Sequence, residues 1–514
     1  MPWSSQVESK FGEVILEARG ITKRYPNNVI ALDRVNFELK AGEVHAILGE
    51  NGAGKTTLMN ILFGVIQPDE GEIYLYGRKT RFKSPIDAIN MGIGMVHQTR
   101  KLVPAHTVLE NIILGHPKTG KLLNLKKIRE EVEQTCRKYG FKIDLDARVW
   151  QLSAGEQEMV EIIRALYRGA RILILDEPTS VLTPPEVEML LNSIRQMAKN
   201  NIAIVPFITH KLPEVFAVSD RVTVLRKGKV VKSLMINEAS MKKLAEYMVG
   251  REVLFSLEKP KVNLGQDILR VENLSALNDK GVVSLKNVSF SVREGEIFSI
   301  VGVSGNGQEE LAEVLAGLRK PISGRIIFNG REITNASVLE RLKMGIGYIP
   351  PERLDAGAIG YFSLVDNILL SLYYDKEFLK GPFLNYRKIR EYAQRLVDEF
   401  EVVAPSVDAK AAHLSGGNLQ KLILSRVIPK TTKLLVANLP TSGLDVASAE
   451  SVRNRLLSCK EKGMAIILLS EDLDEALQLS DRVAPIYEGR IITILDADKA
   501  RKEEIGAMMA GASQ

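Results

Sequence analysis

Cysteine is nearly absent from these 514 residues. The two present, Cys136 and Cys459, lie far apart and match no metal-ligand spacing, which argues for a reducing compartment and against a disulfide framework. Long apolar runs are missing too. The longest, such as Ile202–Ile208 and Met464–Leu469, have the length of buried strands, far short of the roughly 18 residues of a membrane span. Met1–Lys10 lacks the apolar core of a signal peptide. No dense basic run accompanies the net charge of +6, which is the small difference between 69 basic and 63 acidic side chains. The electrostatic footprint of nucleic-acid binding is therefore missing. What remains is an ordinary globular composition, 45% hydrophobic and 26% charged, on a chain too long for one core.

The stretch Gly49-Glu50-Asn51-Gly52-Ala53-Gly54-Lys55-Thr56 fits the phosphate-binding loop G-x-x-x-x-G-K-[ST]. The apolar run Val44–Leu48 before it predicts a buried strand, and Thr57–Leu62 after it predicts the first turns of a helix. Gly49, Gly52 and Gly54 let the backbone turn so that successive N–H groups face phosphate oxygens. The helix N-terminus adds its positive end. Lys55 offers a charge to the β- and γ-phosphates, and the Thr56 hydroxyl a ligand for Mg²⁺.

The chain also contains itself twice. Gly42–Gly54 recurs as Gly295–Gly307 and Met91–Val96 as Met344–Ile349, both at an offset of 253. Leu152-Ser153-Ala154-Gly155 recurs as Leu414-Ser415-Gly416-Gly417, and Pro178–Leu182 as Pro440–Leu444, at 262. Ser219–Val222 recurs as Ser480–Val483, at 261. Five anchors in one order make a duplication, with an insertion of about nine residues in the second copy between 350 and 414. The period is far too long for a solenoid. Two domains are expected, 1–255 and 256–514, joined by a short charged, Pro- and Gly-containing linker near 251–266.

Within the first copy, Arg171–Asp176 predicts a buried parallel strand ending in an acid. Asp176 there suits Mg²⁺, and Glu177 suits the orientation or deprotonation of an attacking water. His210 follows another apolar strand, at the end where open α/β sheets bind ligands, and suits contact with the γ-phosphate. Gln98 follows a third. Alternation of strands with helical patterns gives an α/β fold built on P-loop domains.

With the segment Leu152–Gln157 added, the chain resembles the ATP-binding subunits of ABC transporters over roughly residues 14–495. Leu414–Lys421 looks like that family's signature motif, Gln98 falls at its Q-loop, Asp176-Glu177 at its second acidic motif and His210 at its switch histidine. Tyr25 looks like the aromatic that stacks on adenine. The resemblance implies two tandem nucleotide-binding domains, each with a helical subdomain. It also implies that the signature of one domain closes over ATP held by the P-loop of the other. Catalytic roles then fall to Glu177, His210 and Gln98. ATP binding falls to Tyr25, Gly49–Thr57, Ser415, Gly416 and Gly417, and Mg²⁺ binding to Thr56, Gln98 and Asp176.

The copies are unequally preserved. In the second, Gln308 and Glu309 replace Lys55 and Thr56, Asn438-Leu439 replaces Asp176-Glu177, Glu471 replaces His210, Asn278 replaces Tyr25, and Pro350–Arg353 contains no glutamine. In the first, Ala154 replaces a signature glycine, and Thr183 stands where the second has Asp445. One hydrolytic site and one structural site are expected, the hydrolytic one using Gly49–Thr56 with Ser415–Gly417. Such a fused pair is similar to the ATPases of sugar and nucleoside importers. This implies two integral-membrane permease subunits, a substrate-binding protein or lipoprotein, and a peripheral place on the cytoplasmic face of the cell membrane. Thr99–Asn111 and Arg353–Asn367 are the expected membrane-subunit contacts. Local stretches such as Val96-His97-Gln98 and Ala165–Ala170 lean towards nucleoside, with simple sugar the alternative. A ribosome-associated twin ATPase is a more distant one, since those keep both ATP sites and a long charged linker.

Overall fold

The computed structural model describes residues 10–26, 29–50, 52–97, 101–116, 124–179, 182, 184–208, 212–250, 259–260, 262–509 and 511. The chain divides into two compact units, Met1–Val253 and Leu254–Gln514.

In the first unit the strands Val14–Tyr25 and Val29–Lys40 pair antiparallel, and Glu70–Leu75 and Arg78–Thr80 extend that sheet. The strand that feeds the phosphate loop, His45–Leu48, runs parallel to Arg221–Arg226. Ile93–Val96, Ile172–Asp176 and Ala203–Ile208 form a second parallel set. The helix after the loop, Lys55–Leu62, packs between the layers. Its Leu58, Met59, Ile61 and Leu62 share one core with Ile15, Leu16 and Ile21 of the antiparallel sheet and with Ile172 and Ile174 of the parallel one. Amphipathic pattern and burial thus pin the loop between two sheets.

The second unit repeats this plan. Ile297–Val301, Leu434–Asn438, Ala465–Ser470, Ile346–Ile349 and Arg482–Tyr487 lie in one continuous sheet. Leu434 and Val436 face the core beside the helix Gln308–Ala316. Leu435 and Ala437 face a second core shared with the helices Leu364–Leu369, Tyr386–Glu399 and Gly416–Val427. That is the period-two alternation of a strand buried on both sides.

The two small changes in offset have structural causes. The nine-residue insertion is not one segment. Equivalent helix N-caps Thr107 and Ser363 are 256 apart, and N-caps Asn124 and Asn385 are 261 apart. Residues have therefore been added ahead of Ser363 and again ahead of Asn385, where the second unit forms the hairpin Leu379–Lys380 with Phe383–Leu384. The return from 262 to 261 is a β-bulge. In the first unit Ile174 pairs with Val205 and Leu175 with Phe207, so the register skips Pro206; the second unit pairs Val436 with Ile467 and Ala437 with Leu468 without a break. Proline has no N–H to give the ladder, and a central strand accommodates it at a bulge. The pairing between this strand and that of the loop is accordingly reduced to a bridge at Val44 and Ile204.

Candidate functional site

Tight turns build the phosphate loop. Gly52 and Gly54 hold φ of 81° and 104°, in the left-handed region that favours glycine. A Cβ on Gly54 would lie 2.5 Å from the Ala31 carbonyl, so the loop also presses on its neighbour. Ala53 N donates to Glu50 O, and Gly228 N to Ala53 O, which ties the loop to the hairpin after Arg226. Lys55 is buried and folds back on its own loop. Its Nζ donates to the Gly49 carbonyl at 2.5 Å and to the Glu50 carbonyl at 2.9 Å. Those carbonyls hold the ammonium against the loop. Thr56 is exposed at the start of the helix and Thr57 is half-buried.

The strand Ile172–Asp176 delivers the acidic pair. Burial raises the Asp176 carboxyl to about 6; the Glu177 carboxylate pushes the same way, and the Lys55 ammonium opposes both. Asp176 therefore lies within electrostatic reach of Lys55 although 121 positions separate them in sequence. Glu177 holds φ 49°. Next to it, the buried Thr179 Oγ1 donates to Glu214 Oε2 at 2.7 Å, fixing this turn to the helix Leu212–Val218. Tyr25 ends its strand 40% exposed. Asn51, Gln98, Thr183 and His210 lie outside the described residues.

The second unit keeps the scaffold and changes the chemistry. Gly305 and Gly307 repeat the left-handed φ, at 86° and 101°. Gln308, in place of lysine, donates from Nε2 to the Val303 carbonyl at 3.2 Å, and Asn306 Nδ2 donates to the same carbonyl at 3.0 Å. Glu309 is pushed above the usual carboxylate range by burial and by Glu313, Glu352, Glu310 and Asp279. Glu471 is pushed up by burial and hydrogen-bonds Ser304 of the loop. Acidic side chains thus collect at the loop where the first unit has a lysine, and their burial and mutual proximity raise their pKa values. Thr441 Oγ1 donates to Glu475 Oε1 at 2.5 Å, repeating the Thr179–Glu214 tie.

Both signature turns are helix N-termini. Ser153 caps Ala154–Tyr167, and Ser415 caps Gly416–Val427. Each cap satisfies one otherwise orphaned N–H and leaves others aimed outward. Ser415 Oγ accepts from Asn418 N and Nδ2. In the first unit, Ser153 and Gly155 carry a contact that sequence reasoning missed. Their hydroxyl and N–H both donate to Glu186 Oε1. A glutamate early in a helix reads as an ordinary capping residue, so no sequence signal marks it. Among the described residues no cluster of three or more His, Cys, Asp or Glu is arranged to hold a metal alone. No described helix is long and apolar enough to cross a membrane.

Comparison with known proteins agrees with this geometry. The ABC transporter family model matches residues 32–180 and again 285–442. A glucose import ATP-binding protein of Haloferax volcanii is 44% identical, over 97% of this chain and 96% of its own. A guanosine import ATP-binding protein of Bacillus subtilis is 43% identical, over 98% of both chains. Among solved structures, an archaeal ribosome recycling factor in complex with a ribosomal stalk protein aligns over 96% of this chain and 92% of that one. Its TM-score is 0.60 at 19% identity, a likeness of fold alone. The chain belongs to the ABC transporter family, with one segment that matches the family model in each of its two units.

Proposed function

We propose that this chain is the ATPase subunit that powers import of a nucleoside, with simple sugar the second reading, through two integral-membrane permease subunits. A substrate-binding protein or lipoprotein delivers the cargo, and the chain sits peripherally on the cytoplasmic face of the membrane. The observation that carries the reading is the asymmetry of the two loops. One places Lys55 and Asp176 within electrostatic reach of each other; the other has Gln308 and a carboxylate cluster.

In this reading ATP lies with its phosphates on the N–H groups of Gly49–Thr57. Lys55 leaves the Gly49 and Glu50 carbonyls for phosphate oxygens, a charge-assisted exchange. Thr56 and Asp176 fit Mg²⁺, a hard cation that takes one or two protein oxygens and completes its shell with phosphates and water. Bound there, it neutralises charge that develops on the phosphates. Gln98 shares that site. Glu177 takes the proton of the attacking water as its oxygen bonds to the γ-phosphorus and the bond to the bridging oxygen breaks, leaving ADP and phosphate. His210 hydrogen-bonds the γ-phosphate, Tyr25 stacks on adenine, and Ser415–Gly417 complete the site. ATP then biases an open–closed equilibrium that the membrane subunits follow through Thr99–Asn111 and Arg353–Asn367.

Support for the nucleoside reading comes from the guanosine-importing relative, and for the sugar reading from the glucose-importing one. Uptake of radiolabelled guanosine, ribose and glucose by cells expressing this chain with its co-purifying membrane subunits decides between them. ATP-dependent accumulation of none of the three overturns the importer reading.

A further inference from the structure

The two signature turns differ in one contact. In the first unit Glu186 Oε1 accepts from Ser153 Oγ at 2.8 Å and from Gly155 N at 3.1 Å. A serine hydroxyl and an N–H at a helix N-terminus are the groups that grip an anion. A carboxylate from another helix already sits on them. Gly155 is what admits it: a Cβ there would lie 2.7 Å from the same oxygen. Glu186 stands in the first turn of Pro184–Lys199, where a glutamate ordinarily reaches back to its own cap.

The second unit carries Ser448 at the equivalent position, 262 residues on. It is short and neutral, and its Oγ donates to Asp445 Oδ2 at 3.0 Å. Among the described residues no carboxylate accepts from Ser415, Gly416 or Gly417. One signature therefore donates two hydrogen bonds to an internal carboxylate, whereas the other, among the described residues, donates none, although Asp445 Oδ2 lies 3.7 Å from where a Cβ on Gly417 would be.

We propose that Glu186 is a positioning residue that stands in for phosphate on the first unit's signature and thereby confines ATP to one site per chain. The inference rests on the reading above, in which each signature serves a loop of the other unit. The loop at Gly302–Glu309 is then disabled twice, by Glu309 at the loop and by Glu186 at the signature it needs. Restoring the loop alone does not restore binding, because an arriving phosphate meets a seated negative charge.

The test counts ATP retained per full-length chain after gel filtration, with Glu177→Gln as background so that bound ATP persists. In that background the substitutions Gln308→Lys and Glu309→Thr are made with Glu186 intact and with Glu186→Ser. One ATP with Glu186 and two with Glu186→Ser is the expected result. Two ATP with Glu186 intact, or no gain on Glu186→Ser, overturns the proposal. Glu186→Gln, which keeps the size and removes the charge, gives the same count should the serine variant not fold. Failure of the underlying reading looks different: the chain with only Glu177→Gln then retains no ATP, while the difference between Glu186 and Glu186→Ser still decides the role of this carboxylate.

Discussion

Glu177 and Leu439 stand at equivalent positions, 262 residues apart, and hold nearly the same left-handed backbone, φ 49° and 47°. A non-glycine residue there carries a strain of about 1–3 kcal/mol. Leucine bears it as well as glutamate does. The strain therefore belongs to the turn that follows the strand, anchored in both units by a threonine–glutamate hydrogen bond. The fold supplies the turn, and the residue type placed on it supplies the chemistry.

Replacing only that chemistry should leave the turn intact. Glu177→Gln is expected to retain ATP binding and its melting temperature while turnover falls by about 100- to 10,000-fold, the range for loss of a general base. ATPase assay and nucleotide retention on the same preparation check it. Turnover within a few-fold of the parent would remove Glu177 as the base.

The loops predict a second asymmetry. Lys55→Ala takes away the only lysine at either loop and should lower turnover by at least about 100-fold, as loss of a preorganised electrostatic group does. Gln308→Lys alone should leave the rate as it was, because Glu309 and its acidic neighbours remain. Substantial activity in Lys55→Ala, or a doubled rate in Gln308→Lys, contradicts the division of labour.

Much of this was legible in the sequence. The phosphate loop, its flanking strand and helix, the acidic pair and the duplication follow from residue pattern, because those features are local or periodic. Even the bulge at Pro206 left a trace, as a one-residue change of offset between the copies. What stayed hidden depends on long-range placement. Glu186 reads as a capping residue until Ser153 and Gly155 are brought against it. The raised pKa of Asp176 needs burial together with Glu177 and Lys55. Arg341 looks like one more surface arginine, yet it is buried and donates to five backbone carbonyls, among them Val314 and Leu315 at the end of the second loop's helix.

Asp176 predicts a trade of stability for function. An acid whose folded pKa, about 6, exceeds its ordinary value near 3.8 binds more protons in the folded state through that window. Its contribution to stability is thus lost as pH rises through about 6. At pH 7.5 the ionised group is a burden on the nucleotide-free fold, discounted for its partial exposure to about 1 kcal/mol. Asp176→Asn, the residue the second unit already has as Asn438, should raise the melting temperature by about 2–4 °C and abolish Mg²⁺-dependent turnover. Scanning calorimetry at pH 7.5 and 5 checks both sign and window: the gain should shrink at pH 5. An unchanged or lowered melting temperature at pH 7.5 refutes it.

His45 predicts acid sensitivity confined to the first unit. It is fully buried in the strand before the phosphate loop, with Nδ1 donating to the Glu38 carbonyl at 3.0 Å and Nε2 2.8 Å from Thr223 Oγ1. Burial, and then the Arg221 guanidinium, hold its pKa well below the usual histidine range. The Glu43 carboxylate is 3.9 Å away, but it is engaged by Arg221 at 2.6 Å. The sign is opposite to that of a histidine with an anionic partner. The stabilisation is complete above about 6.5, the unfolded value, and is lost below it by about 1.4 kcal/mol per pH unit while His45 stays neutral. The second unit has Phe298 here, stacked on Phe290 with Arg482 5.1 Å over its ring. Phe37, the counterpart of Phe290, lies 4.7 Å from the His45 ring, and Thr223 retains Ser233 as a partner at 2.9 Å. His45→Phe should therefore fold, and should flatten the fall in melting temperature between pH 6.5 and 5 without altering it at pH 8. An undiminished fall in that variant would assign the acid sensitivity to other groups.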